Sequence, residues 1–267
     1  MKNTMFAGAI VLFAAGSASA ADIAGEVGAE FTKNNLGNYV ATPTVDLSFG
    51  HKAEDATAFG GVGVEAVNGD IVVSEWNLGV AFGGTSLSFG DQEDLFDFGG
   101  LEVVGGDTLA NPADDHESLI VTHGAVSALV GLTDIGADVS EVENVQLAYA
   151  TKYAVASVAA AVDYNVGTDA YILAVDVAAD VNEAVTAGAT VTYDDAASLV
   201  AYEAIGTYGA LEALDVSAFV NGDDVDMAQN VGAGVVYTKS NLEAFAELGY
   251  NLDAEEITPA VGVSFSF

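Results

Sequence analysis

The sequence predicts an all-β protein: a closed antiparallel β-barrel of sixteen strands that crosses a membrane. Three observations predict it. Segments of roughly 8 to 12 residues alternate small or polar with apolar side chains along most of the chain. Beyond the first twenty residues, no apolar stretch approaches the roughly 20 residues that a membrane helix needs. Forty carboxylates share the chain with 51% hydrophobic residues, so the fold must segregate acidic from apolar groups.

The first twenty residues read as an export signal. Lys2 supplies a positive start, Met5 to Ala15 form a short apolar core, and Ala18-Ser19-Ala20 is a small-x-small cleavage site. The apolar core is too short for a retained anchor. A single domain then spans 21–267. Cysteine is absent, which excludes a disulfide framework and a thiolate metal site. Loss of Lys2 takes the formal charge from −35 to −36 and leaves four lysines and no arginine. Nucleic acid needs the opposite sign and is excluded as a partner. Disordered acidic chains are poor in apolar residues, and this one is not. Two solutions remain: a halophilic globular protein with an acidic skin, or a barrel with a wet acidic lumen.

The elements follow in order. The alternation predicts strands at 22–32, 38–50, 57–67, 70–82, 85–90, 117–123, 125–132, 142–151, 153–163, 169–178, 183–193, 196–206, 210–220, 227–238, 241–250 and 256–267. Sixteen is even, as single-chain bacterial barrels require; fourteen is the alternative count. The last strand has the clearest parity. Ile257, Pro259, Val261, Val263, Phe265 and Phe267 fall on one face, and Glu256, Thr258, Ala260, Gly262, Ser264 and Ser266 on the other. Elsewhere Asp46, Asp176, Glu243 and Glu247 interrupt apolar rows in mid-strand. A dry core with almost no cations would not tolerate them, whereas a water-filled lumen would, so these four are assigned to a lumen wall. Aromatics gather near strand ends (Phe31, Tyr39, Phe49, Tyr164, Tyr193, Tyr237, Tyr250, Phe265 and Phe267), as in interfacial girdles.

The terminal run Val261-Gly262-Val263-Ser264-Phe265-Ser266-Phe267 resembles the last strand of Gram-negative outer-membrane proteins. In that family the final aromatic, here Phe267, is the signal read by the barrel-insertion machinery. After Leu87-Ser88-Phe89-Gly90-Asp91 comes a connection of about 25 residues, up to His116. Its place after the fifth strand matches the third external loop of sixteen-stranded trimeric porins, which folds into the lumen. Asp97-Phe98-Gly99-Gly100 resembles the tip of that loop in enteric porins, and Ser86 to Asp91 is similar to Rhodobacter-like, alpha-proteobacterial porins. The resemblance implies a passive diffusion channel for small hydrophilic solutes in the outer membrane. It also implies contact with lipid and lipopolysaccharide and a homotrimer, for which Phe59-Gly60-Gly61-Val62-Gly63 offers a smooth wall. Two departures stand out. No arginine cluster faces the acidic loop, and Val67 to Asp70 is too short to latch onto a neighbour.

Asp91, Glu93, Asp94, Asp97, Glu102 and Asp107 are the candidate pore constriction. Carboxylates confined between low-dielectric walls concentrate cations, which predicts cation selectivity. Asp223, Asp224 and Asp226 form a weaker candidate site for Ca2+ or Mg2+, without EF-hand spacing; otherwise no cofactor is expected. His51, His116 and His123 have no zinc-protease spacing and no G-x-S-x-G elbow exists, so no enzyme is expected. The competing reading from another class is an exported acidic, calcium-binding, β-rich surface or adhesin protein.

Overall fold

A computed structural model describes residues 22–33, 39–53, 55–67, 70–91, 95, 117–132, 142–225 and 229–267. The expectation of sixteen strands is met. They are β1 (Asp22–Lys33), β2 (Tyr39–Lys52), β3 (Thr57–Val67), β4 (Asp70–Phe82), β5 (Thr85–Asp91), β6 (Glu117–His123), β7 (Val126–Leu132) and β8 (Val142–Tyr153). Then come β9 (Ala156–Asn165), β10 (Ala170–Asn182), β11 (Val185–Asp194), β12 (Leu199–Leu211), β13 (Leu214–Asp223), β14 (Asn230–Lys239), β15 (Leu242–Asn251) and β16 (Glu256–Ser266). Each strand pairs antiparallel with its sequence neighbours, and β1 pairs with β16 to close the barrel. Among the described residues no helix is long and apolar enough to cross a membrane.

Closure is made at the chain's end. Ser266 faces Glu26 and Val261 faces Phe31, and beyond the ladder Gly25 and Phe267 exchange two backbone hydrogen bonds of 3.0 and 2.8 Å. The Phe267 ring lies where a side chain on Gly25 would start, 2.6 Å from that position. Glycine at 25 therefore provides the seat for the terminal aromatic.

The two ends of the barrel differ. At one end the connections are tight, with two-residue turns at 83–84, 124–125, 154–155, 183–184, 212–213 and 240–241. The other end carries the longer connections, apart from the two residues between β3 and β4. Several turns fall two to five residues later than the alternation predicted, because they lack the usual glycine and proline marks. The β8–β9 turn is Ala154-Val155, with Ala154 at φ 54°, a left-handed conformation that sequence reading reserves for glycine or asparagine.

Parity runs around the barrel, shifted locally by bulges at Asp180–Asn182, Gly209–Leu211, Gly63–Val64 and Gly131–Leu132. Tyr250 faces Ile257, Leu248 faces Pro259 and Ala246 faces Val261, all on the outer surface. Leu173, Val175, Val177, Val191, Val261 and Val263 are each exposed there by more than two fifths. A soluble sandwich would turn this face inward; here it surrounds the barrel as a lipid-compatible band. Outward tyrosines sit near both rims: Tyr164, Tyr171, Tyr193 and Tyr250 at the end with long connections, Tyr149, Tyr153, Tyr208 and Tyr237 at the other. Tyr171 and Tyr193 approach to 6.0 Å between ring centroids, and the Tyr164 hydroxyl donates to Asp169 at 2.6 Å.

Candidate pore lumen

The other parity row lines the interior. Asp46, Asp176, Glu243 and Glu247 all fall in it, with Glu26, Glu75, Asp163, Glu203 and Asp215. Three of these acids converge on β1, β2 and β4. Glu26 is the cross-strand partner of Asp46, and Asp46 and Glu75 both flank Gly63 on β3. A Cβ on Gly63 would meet Glu75 Cγ at 2.7 Å and Asp46 Oδ1 at 2.8 Å, so glycine leaves the room that the two carboxylates occupy. Asp46 feels repulsion from Glu26, and Glu75 from both Asp46 and Asp91. Ser266 donates to Glu26 at 3.1 Å across the barrel seam.

A second feature is a polar row that crosses seven strands in register: Asp176, Thr190, Glu203, Asn221, Asn230, Asn251 and Glu256. Thr190 Oγ1 donates to Asp176 at 2.9 Å, and Glu203 is hydrogen-bonded to Asn221. Asn230 Nδ2 donates to Asn221 Oδ1 and Asn251 Nδ2 to Asn230 Oδ1, each at 2.9 Å. An amide carries donor and acceptor, so it relays the pattern from strand to strand without an added charge. Asn221 is fully buried, and its interactions stitch β12, β13 and β14 together. A cavity of about 210 Å³ opens beside the row between Asp176, Thr190, Glu203 and Ile205.

On β6 to β9 the lumen-facing residues Ser118, Leu129, Asn144, Gln146 and Asp163 are buried rather than washed by the lumen. Asn144 Nδ2 donates to Asp163 at 2.8 Å. Leu95, from the long β5–β6 connection, donates its backbone N–H to Gln146 Oε1 at 2.9 Å, three strands away from where β5 ends.

The remaining expected residues divide as follows. Asp91, expected in the constriction, is the last residue of β5, paired with Trp76 and Glu117, and its charge acts on the lumen-facing Glu75. It belongs to the wall because β4 continues to pair with β5 up to Trp76. Glu93, Asp94, Asp97, Glu102 and Asp107 lie outside the described residues, as do the export signal and Asp226. Asp223 is used by its own turn, accepting from the Val225 N–H at 2.8 Å and from Gln229 Nε2, and Asp224 accepts from the Val200 N–H of β12 at 3.2 Å. Among the described residues no cluster of three His, Asp or Glu side chains is arranged to hold a metal. Lys52 and Lys152 sit in the lumen row at the end with tight turns, and Lys239 in the outward row beside Leu242.

Two features escaped sequence reading. The asparagine row was hidden because its members are scattered over 30 residues and meet only through register. The lumen also holds phenylalanines: Phe59, Phe219 and Phe245 share the polar parity. Each lies over a glycine of the next strand, at Gly79, Gly232 and Gly262. A Phe on a polar row, with a glycine on the neighbouring strand, was the available signal.

No family model and no curated protein matches the chain in sequence. Solved structures do match it. A triple mutant of Rhodopseudomonas blastica porin superposes with a TM-score of 0.71 at 18% identity, covering 93% of this chain and all of the other. Another mutant of Rh. blastica porin gives 0.70, again at 18% identity with the same coverage. The chain has the porin fold. A structure described by the asymmetric conductivity of engineered proteins matches over the same lengths, with a TM-score of 0.68 and 18% identity. The expectation of a sixteen-stranded barrel of the porin kind is thus met at the level of fold.

Proposed function

We propose that the chain is a porin-type diffusion channel of a bacterial outer membrane, passing small hydrophilic solutes with a preference for cations. One observation carries the reading: a closed porin-fold barrel turns its apolar row outward and its carboxylates inward. Lipid on the outside and water on the inside is the arrangement that satisfies both rows. The acidic soluble surface protein is disfavoured, because it would have to bury the apolar row within itself. No catalytic step is assigned.

In this reading the long connections face outward and the tight turns face the periplasm. Lys52 and Lys152 then stand at the inner mouth, away from the acids at Asp46 and Glu75. The β5–β6 loop is proposed to lie against the lumen wall and to carry Glu93, Asp94, Asp97, Glu102 and Asp107 as the constriction. The Leu95–Gln146 hydrogen bond and the buried wall on β6 to β9 support this. Porin-like assembly as a homotrimer, with Phe267 read by the insertion machinery and acidic outer tips bridged to lipopolysaccharide by weakly held Ca2+ or Mg2+, completes the proposal.

Reversal potentials in planar bilayers under a salt gradient test it. Neutralising Glu93, Asp94, Asp97 and Glu102 together lowers cation preference, while neutralising Asp224, Asp253 and Glu255 on outer turns changes it less. The contrast fades as salt shortens the screening length from about 10 Å at 0.1 M to about 3 Å at 1 M. If only the outer set moves the potential, the constriction is misplaced.

A further inference from the structure

One lumen residue combines features that neither a plain wall nor a plain acidic pore requires. Phe245 occupies the lumen row of β15 between Glu243 and Glu247, with Val236 on one side and Gly262 on the other. A Cβ on Gly262 would fall 2.2, 2.5 and 3.0 Å from Cε1, Cζ and Cδ1 of the Phe245 ring. The ring therefore rests against the backbone of β16. Behind it, Phe219 and Ala260 are buried and Ile205 packs against them, so Phe245 is the half-buried, water-facing member of an apolar island inside the barrel.

Carboxylates stand in the same lumen rows as that ring. Glu243 is exposed and accepts from Thr238 Oγ1 at 3.3 Å. Glu247 is buried and lies over Gly234, whose Cβ would meet its Cγ at 3.1 Å. Asp215 stands in the same register row beyond Val236 and is exposed. The face of an aromatic ring is itself electronegative and attracts cations. A small inorganic cation keeps its water and gains only from the acids. A neutral aromatic gains only from the ring, and an anion from neither. An ammonium ion on an apolar body gains from both.

On the basis of the channel reading, we infer that Phe245, with Glu243, Glu247 and Asp215, forms a resting site in the lumen for organic ammonium ions that carry an apolar body. Such ions bind on their way through and slow the passage of inorganic cations while they are bound.

The test uses the full-length protein in planar bilayers carrying potassium current. Three probes are compared: benzyltrimethylammonium, tetramethylammonium, which has the charge without the ring, and benzyl alcohol, which has the ring without the charge. The expected result is block by benzyltrimethylammonium at concentrations where the other two have little effect. Phe245→Leu weakens that block about threefold to tenfold, Phe245→Tyr preserves it, and Glu243→Gln with Glu247→Gln weakens it as well. Equal block by tetramethylammonium, or an unchanged block in Phe245→Leu, overturns the site. If Phe245→Leu fails to assemble, the comparison of the three probes on the unaltered protein still decides. A protein that inserts but never conducts refutes the channel reading itself; one that conducts without selective block refutes only this site.

Discussion

Gly232 and Gly262 provide a matched pair for asking how rigid the interior of this barrel is. Alanine at either position brings a Cβ to 2.2 and 2.5 Å from a phenylalanine ring, Phe219 in one case and Phe245 in the other. The surroundings differ. At Gly232 the new atom also meets the Leu248 backbone oxygen at 2.7 Å, and Phe219 is only 5% exposed, so neither neighbour can retreat. At Gly262 the three nearest atoms all belong to Phe245, whose ring is half-buried rather than enclosed. Overpacking a tight site costs about 1–3 kcal/mol, while replacing glycine by alanine within a strand returns roughly 0.5–1 kcal/mol. Gly232→Ala is therefore expected to lose about 1–2 kcal/mol, and Gly262→Ala to stay within about 0.5 kcal/mol of the parent. Urea unfolding in lipid vesicles measures both, followed by the single tryptophan, Trp76, which packs edge-on against Phe89 at 5.6 Å on the outer face. Adding Phe219→Leu should recover part of the loss in Gly232→Ala and none in Gly262→Ala. Equal losses at the two glycines, or no recovery in the double variant, would refute the view that buried neighbours set the cost.

Two further outcomes are expected. Asn221→Leu removes the acceptor of Asn230 and the partner of Glu203 at a fully buried position, and should cost about 1–3 kcal/mol in the same unfolding assay; an effect below about 0.5 kcal/mol would show that the row is not a structural tie. Deleting Phe267 removes both backbone hydrogen bonds to Gly25 and uncovers the seat there. It should lower the yield of assembled barrel in cells, and unaltered yield in a fractionated outer membrane counts against a role for the terminal strand.

Most of the fold was legible because β-structure in a membrane barrel is written with a period of two. The parity of Ile257 to Phe267 on β16 and the mid-strand acids at Asp46, Asp176, Glu243 and Glu247 needed only adjacent residues to be read. Turns were less legible. Ala154-Val155 and Glu212-Ala213 reverse the chain without glycine, proline or asparagine, since the pairing of the long flanking strands imposes the turn and Ala154 accepts φ 54°. The site was the least legible part. That Asp46 and Glu75 crowd Gly63 with Glu26 beyond Asp46, or that Asn221, Asn230 and Asn251 form one ladder, depends on which residue of one strand stands opposite which residue of the next.

By itself, the sequence determined the outward and inward rows, the excess of negative charge and the position of the long connection, and narrowed the count of strands to fourteen or sixteen. Each of these is a property of neighbouring residues or of a sum over the chain, and survives an error of a few residues in any boundary. Only the tertiary structure decided which carboxylates repel one another, which amides pair, which glycines carry a phenylalanine, and that Asp91 belongs to the wall. These depend on register, and a shift of one residue in a strand moves every side chain to the opposite face. Closure fixes the register of all sixteen strands together, because β1 must meet β16 as well as β2.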